Sequence, residues 1–301
     1  MTTRVRTLAA TTLGGASCPV CGAITRRAAD LGDFRLHACA ACGSWSSDAL
    51  VRGATTSFQP QAYFDHAEDE RPRWETLRQA IQPLAPRSVL DVGCGGGEYL
   101  AWTTGAFAPA QATGIELDTG RARRAAERNP RATILTGDAL AVAEGLGGDF
   151  DLITLWDVLE HVPEPARLLK ALAQRLTPRG RLFVQTINEA SIVPRIGRWS
   201  YRLTAGALKA GMRRTHDAHH LVFFTRPGLW RMGQEAGLAP RREWFGRLSL
   251  ARMDGPKLLT VPTACLLATE NWFGGGLFVN VLFSRADCED PGAGKEAADF
   301  G

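Results

Sequence analysis

The stretch Val89-Leu90-Asp91-Val92-Gly93-Cys94-Gly95-Gly96-Gly97-Glu98-Tyr99-Leu100 constrains this chain more than any other. A short run of β-type residues ends in an acid, breaks into glycines around one cysteine, and restarts as an apolar helix. Glycine permits left-handed backbone and close approach of a ligand. The pattern therefore sets the end of a strand against a helix N-terminus, the place where an open α/β sheet holds a nucleotide-like ligand. Alone it is weak, because glycines also end ordinary strands.

Its surroundings strengthen it. Thr113-Gly114-Ile115-Glu116-Leu117-Asp118 reads as a second strand closing on an acid, with Glu116 25 residues after Asp91, about where a ribose-binding carboxylate belongs. Residues 121–128 read as a surface helix, 132–135 as a third strand with Gly137-Asp138-Ala139 as its exit, and 149–157 as a fourth strand. Pro163 to Leu176 reads as an amphipathic helix, and 180–186 as a fifth strand after the turn Pro178-Arg179-Gly180. An earlier helix is expected over Gln61 to Ile81, stopped by Pro83 and Pro86. Alternation of this kind predicts an α/β fold with a doubly wound, mostly parallel sheet.

With Phe-Asp-Leu-Ile at 150–153, Leu-Glu-His-Val at 159–162 and Leu-Thr-Pro-Arg-Gly-Arg-Leu at 176–182 added, residues 87–188 resemble the class I S-adenosylmethionine (SAM)-dependent methyltransferases. The resemblance implies SAM as cofactor and a seven-stranded sheet closed by an antiparallel edge pair. It implies that Asp91, Gly93, Cys94, Gly95 and Gly97 border the methionine part of SAM. Glu116 would take the ribose hydroxyls, with Leu117 beside it. Asp138 would face the adenine amino group next to Ala139, and Asp157 would sit near the methionine amine or the acceptor. A nicotinamide-binding Rossmann unit is the competing reading of the glycines and Glu116.

Four cysteines carry the second strong signal. Cys18-x2-Cys21 and Cys39-x2-Cys42 are separated by 17 residues, a spacing that aims four thiolates at one tetrahedral Zn²⁺. Such a site has no open position, so a zinc ribbon over 18–45 is expected to be structural, with metal binding supplying its folding free energy. A pair of disulfides is the alternative. The segment resembles the N-terminal zinc-binding segment of sugar C-methyltransferases, although the chain lacks room for their additional C-terminal domain.

Between Pro194 and Arg214 lie six bases and no acid (Arg195, Arg198, Arg202, Lys209, Arg213, Arg214), interleaved with Ile196, Trp199, Leu203 and Met212. This reads as a basic amphipathic lid over 190–218, suited to an anionic or carrier-linked acceptor; a solvated helix face and a membrane-surface helix share the pattern. His216-Asp217-Ala218-His219-His220 follows. Related methyltransferases carry a similar His then Phe-Thr arrangement, which puts His219 or His220 at the acceptor pocket as a general base oriented by Asp217. His161 is the third candidate. In ubiquinone-type O-methyltransferases of similar sequence an acid, a Glu and a His in this segment hold a divalent cation, and Asp157, Glu160 and His161 occupy those places.

Composition sets the remaining limits. With 45 % hydrophobic and 22 % charged residues in 301, a packed core is expected, as one large domain over 60–285 beside the small ribbon. The longest apolar run near the C-terminus, Trp272 to Phe283, spans 12 residues and is too short to cross a bilayer. A flexible N-terminus over 1–17 and a disordered tail over 286–301 are expected; five acids against one base in that tail leave the rest of the chain at +8 out of an overall +4. Nothing marks the chain as secreted, so the cytoplasm is the expected compartment. The reading is a methyltransferase acting at oxygen on a small-molecule acceptor, with RNA methylation and a non-catalytic scaffold as the alternatives, and the oligomeric state open.

Overall fold

The computed structural model describes residues 16–49, 67–246 and 275–288. Three short antiparallel strands come first, β1 (Arg26–Asp30), β2 (Arg35–Ala38) and β3 (Trp45–Ser47). Strand and helix then alternate as α1 (Ala67–Ala80), β4 (Ser88–Val92), α2 (Glu98–Phe107), β5 (Gln111–Glu116), α3 (Thr119–Arg128), β6 (Thr133–Thr136), α4 (Ala139–Gly145), β7 (Phe150–Trp156), α5 (Pro165–Ala173) and β8 (Leu176–Ile187). The chain continues through α6 (Ile192–Leu203), α7 (Ala210–Thr215), β9 (Val222–Phe223), α8 (Arg226–Glu235), β10 (Leu238–Gly246) and β11 (Phe278–Arg285).

Seven strands form one sheet in the order β10-β11-β8-β7-β4-β5-β6. Its five strands from β4 to β8 run parallel, and β10 and β11 pair antiparallel at one edge. This is the class I methyltransferase architecture. Both faces of the sheet are covered, which is why its strands read as nearly continuous apolar runs. Val89, Leu152, Phe183 and Leu282 pack under α1 and α2 with Trp74, Leu77 and Tyr99. Leu90, Val92, Ile153, Leu155 and Val184 fill the opposite face with residues of α5 and α8. The short β-to-α turns start their helices with side-chain caps: Asp118 accepts from the Arg121 amide at 2.8 Å and Asp138 from that of Ala141 at 3.0 Å.

Several boundaries differ from expectation. α5 stops at Ala173, and β8 begins at Leu176, so Pro178-Arg179-Gly180 lies inside the strand rather than in a turn before it. Leu176 pairs with Phe150 across an irregular register, and a Cβ on Gly180 would come within 2.8 Å of the Phe150 carbonyl oxygen. Local proline and glycine signalled a turn, but pairing with β7 overrode them. Residues 159–161 form one turn of 3₁₀ helix, and Asp157 precedes it, directly after β7. The edge pair starts at Leu238, directly after α8. The start of the helix expected at Gln61, much of the segment between β10 and β11, and most of the expected flexible N-terminus and acidic tail lie outside the described residues.

The cysteine segment makes a second sheet. Its order is β1-β2-β3-β9, so a two-residue strand from far along the chain supplies the fourth member. Val20, Leu31, Phe34, Leu36 and Trp45 belong to the same buried apolar cluster as Met212, Phe223, Phe224 and Leu229.

Candidate functional site

At the end of β4, Asp91 is buried and accepts a hydrogen bond of 2.8 Å from Thr154 Oγ1 on the neighbouring β7. Burial pushes its carboxyl up to about 7, and the charges of Glu116 and Glu98 push the same way. The turn that follows needs glycine. Gly93 sits at φ +71°, and a Cβ there would meet Val158 Cγ2 at 2.5 Å. Gly95 also takes a positive φ, with nothing within 4 Å of where its Cβ would be. Cys94 is buried behind the turn, its sulfur 2.7 Å from where a Cβ on Gly114 would stand.

Glu116, at the end of β5, is buried and faces the same turn. Its Oε2 accepts from the Gly95 amide at 2.9 Å, and its Oε1 from the Asp118 amide at 3.0 Å. Each oxygen keeps a further lone pair, which fits a vicinal diol. Leu117 beside it is 53 % exposed, an apolar side chain left open next to that carboxylate. Asp138 and Ala139 lie at the next loop, where Asp138 is exposed and caps α4.

Asp157 closes β7 with φ +53°, a left-handed conformation that costs a non-glycine residue about 1–3 kcal/mol. Its carboxylate accepts from Gln185 Nε2 at 3.0 Å and from Arg73 Nη2 at 3.2 Å. Arg73 also donates to Gln185 Oε1 at 3.1 Å and pairs with Glu70, while its guanidinium lies over the Phe278 ring at 4.8 Å. Neither Arg73 nor Gln185 stood out in the sequence. One is a base on a helix rich in charge, the other a polar residue in a buried strand, and only folding brings them to Asp157.

The three histidine candidates sit in different surroundings. Glu160, His161 and His220 offer ligand atoms that all lie within 4.8 Å of one another. Asp157 is not one of this set; its carboxylate is bound by Arg73 and Gln185. The Glu160 carboxylate is buried with no hydrogen-bond partner among the described residues, and desolvation, reinforced by Asp157, pushes it up to about 8. His161 Nδ1 lies 2.9 Å from the His219 carbonyl oxygen. A carbonyl only accepts, so Nδ1 carries the hydrogen and Nε2 keeps a bare lone pair. Burial lowers the pKa of His161, and lowers that of His220 to about 4, so both rings are neutral at pH 7. Asp217 accepts from the amides of His219 and His220 at 2.8 and 3.0 Å and so shapes the loop. His216 is fully buried, its Nε2 3.0 Å from Glu189 Oε2, and Glu189 also pairs with Arg198. That buried group was likewise missed, since Glu189 follows a strand with no pattern around it.

The cysteines converge. Cys18 and Cys42 sulfurs are 3.7 Å apart, and those of Cys21 and Cys39 are 3.5 Å apart. A disulfide would need about 2.05 Å. A tetrahedron with metal–sulfur bonds of about 2.3 Å has edges of about 3.8 Å, which these separations approach.

Ile196, Trp199 and Leu203 are exposed along one face of α6, with Arg195 and Arg202 beside them. Arg213 is tied to Asp33 and to the Leu31 carbonyl, and Tyr201 accepts from the Asp30 amide at 2.9 Å. No helix among the described residues is long and apolar enough to cross a membrane.

A family described as "Methyltransferase domain" matches residues 64–243. Among curated proteins, the ubiquinone biosynthesis O-methyltransferase of Ralstonia nicotianae is 32 % identical over 193 residues, covering 61 % of this chain and 76 % of that protein. That of Thiobacillus denitrificans is 34 % identical over 178 residues, 56 % of this chain and 70 % of that protein. That of Aeromonas salmonicida is 35 % identical over 165 residues, 52 % of this chain, and the chain spans 65 % of its length. A solved SAM-dependent methyltransferase from Archaeoglobus fulgidus superposes with a TM-score of 0.52 at 14 % identity, over 75 % of this chain and 97 % of that one, a likeness of fold.

Proposed function

Because the chain belongs to the methyltransferase-domain family, we propose that it moves a methyl group from SAM to an oxygen of a small or carrier-linked metabolite, using a histidine general base. Ubiquinone-type relatives support oxygen as the acceptor atom. The observation that carries the choice of cofactor is the gathering of Asp91 and Glu116 around the glycine turn. A pyrophosphate there would add negative charge to two buried carboxylates, whereas a sulfonium and an α-amino group supply the positive charge they lack. When bound, SAM provides an electrophilic methyl group on sulfur.

The chain's own groups do the rest. Glu116 holds the ribose hydroxyls through its remaining lone pairs. Arg73 and Gln185 fix Asp157 at the boundary between donor and acceptor. His161 Nε2 takes the proton of the acceptor hydroxyl, its ring held by the His219 carbonyl and kept neutral by burial. The Glu160, His161 and His220 cluster also fits a divalent cation that would polarise the acceptor oxygen. Recovery of turnover by Mg²⁺ added after chelation favours that second assignment.

The four cysteines are assigned a Zn²⁺, supported by their sulfur separations; four thiolates would fill a tetrahedral ion and make its part structural. Arg198 and Arg213 are occupied by Glu189 and Asp33. Two of the six lid bases are thus withdrawn from any grip on phosphates, which favours a small acceptor over RNA.

Calorimetry on the full chain tests the reading. S-adenosylhomocysteine should bind at one equivalent, and Glu116→Ala should weaken it by about 1.5–3 kcal/mol, the scale of hydrogen bonds to a charged group. Binding of a nicotinamide dinucleotide instead, or unchanged affinity in the variant, ends it. Mass spectrometry for a +CH₂ product then identifies the acceptor.

A further inference from the structure

We propose that the metal held by Cys18, Cys21, Cys39 and Cys42 positions the acceptor side of the active site, clamping the 217–225 loop to the turn that carries Glu160 and His161. The inference rests on the zinc reading above and adds a task to it.

The route is continuous in hydrogen bonds. Cys42 is a ligand candidate, and its carbonyl accepts from Thr225 Oγ1 at 2.6 Å. The Thr225 amide donates to Ser44 Oγ at 3.3 Å. β3 then pairs with β9, matching Trp45 to Phe223 and Ser46 to Val222, and the Ser47 amide donates to the Leu221 carbonyl at 2.8 Å. From the other side the Leu221 amide donates to the Glu160 carbonyl at 2.7 Å, and His161 Nδ1 to that of His219 at 2.9 Å. Leu221 is thus held between the ribbon and the Glu160 turn.

At its far end the loop is also anchored to the large sheet, where Phe224 bridges to Asn188 and its carbonyl accepts from the Glu189 amide at 2.7 Å, so the ribbon governs the stretch before Phe224. β9 has two residues and pairs with β3 as the fourth strand of the ribbon sheet. A two-residue strand has no stability of its own, and a unit as small as the ribbon draws its folding free energy from the metal. Order in the ribbon therefore becomes order in the loop. The glycine turn and Glu116 lie on β4 and β5 and share no hydrogen bond with this route, although Gly93 abuts Val158 beside the Glu160 turn. Metal occupancy should accordingly act on the acceptor side and spare the cofactor side. Thr225 and Ser44 are positioning residues in this scheme.

Hydrogen exchange on the full chain, with zinc content measured in parallel, tests it. Stripping zinc should speed exchange across 17–47 and 217–225 by about tenfold or more. Segments 88–97 and 111–116 should stay protected, and the affinity for S-adenosylhomocysteine should hold within about threefold. Thr225→Val should keep one zinc and loosen 217–225, Thr225→Ser should restore protection, and Ser44→Ala serves if Thr225→Val fails to fold. A bound zinc whose removal leaves 217–225 protected overturns the clamp while sparing the zinc reading. A purified chain without zinc, its 217–225 loop already protected, overturns both.

Discussion

Asp91 accepts one hydroxyl hydrogen bond inside a desolvated site, and that shortage of partners has a measurable consequence. Its folded pKa of about 7 lies above the roughly 3.9 of an unfolded carboxyl, so between those values the folded chain keeps a proton the unfolded chain has lost. Ionising this carboxyl therefore lowers ligand-free stability as pH rises from about 4 to 7, with no further change above. Asp91→Asn, whose amide oxygen can still accept from Thr154, should remove this slope in denaturant titrations. It should raise stability at pH 8 by on the order of 1–3 kcal/mol while weakening S-adenosylhomocysteine binding. A variant as pH-dependent as the parent refutes the assignment. At His161, substitution by Ala should cut turnover by about 10²–10⁴-fold and leave cofactor affinity in place. If the same loss appears only in His220→Ala, the base has been placed on the wrong ring. Asp91 and Glu116 were legible because each ends its own strand in a local pattern. Arg73, Gln185 and Glu189 were not, since their meaning comes from partners up to 112 residues away.

The elements show the same division. Strand and helix were readable wherever an apolar run closed on an acid or a period of 3.6 ran long enough, as in β7 and α5. Short pieces escaped: the 3₁₀ turn at 159–161 and the two residues of β9 are too brief to show a period. β8 escaped for another reason, because pairing with β7 outvoted a proline and a glycine. Helix α8 offers a test of such tertiary control. Alanine for an internal glycine ordinarily favours a helix by about 1 kcal/mol. At Gly228, however, a Cβ would collide with Ser44 Oγ and come within 3.3 Å of Val20 Cγ1. Gly228→Ala should therefore lower the denaturation midpoint and release the ribbon from α8; a stabilised variant would mean that the junction is loose.

Across the whole molecule, the cysteine segment, helices α6 and α7 and the large sheet meet at one buried group. Glu189 leaves β8, pairs with Arg198 of α6 and with His216 after α7, and His216 packs on Trp45 of the ribbon with ring centres 5.8 Å apart. Glu189→Ala strands a largely buried guanidinium, so unfolding free energy should drop by about 3–5 kcal/mol in chemical denaturation. A loss below about 1 kcal/mol would show that Arg198 finds water instead. Sequence by itself determined the α/β sheet, the glycine turn after β4 and the convergence of four cysteines, because each depends on residues within a few positions of one another and on backbone geometry that only certain residue types allow. Tertiary structure alone decided that the cysteine sheet shares a strand with the loop after His220, that Glu160 and His161 group with His220 instead of Asp157, and that Arg73 reaches Asp157 and Gln185. Those facts depend on which distant surfaces bury one another, and side-chain packing, unlike local periodicity, leaves no spacing along the chain to read.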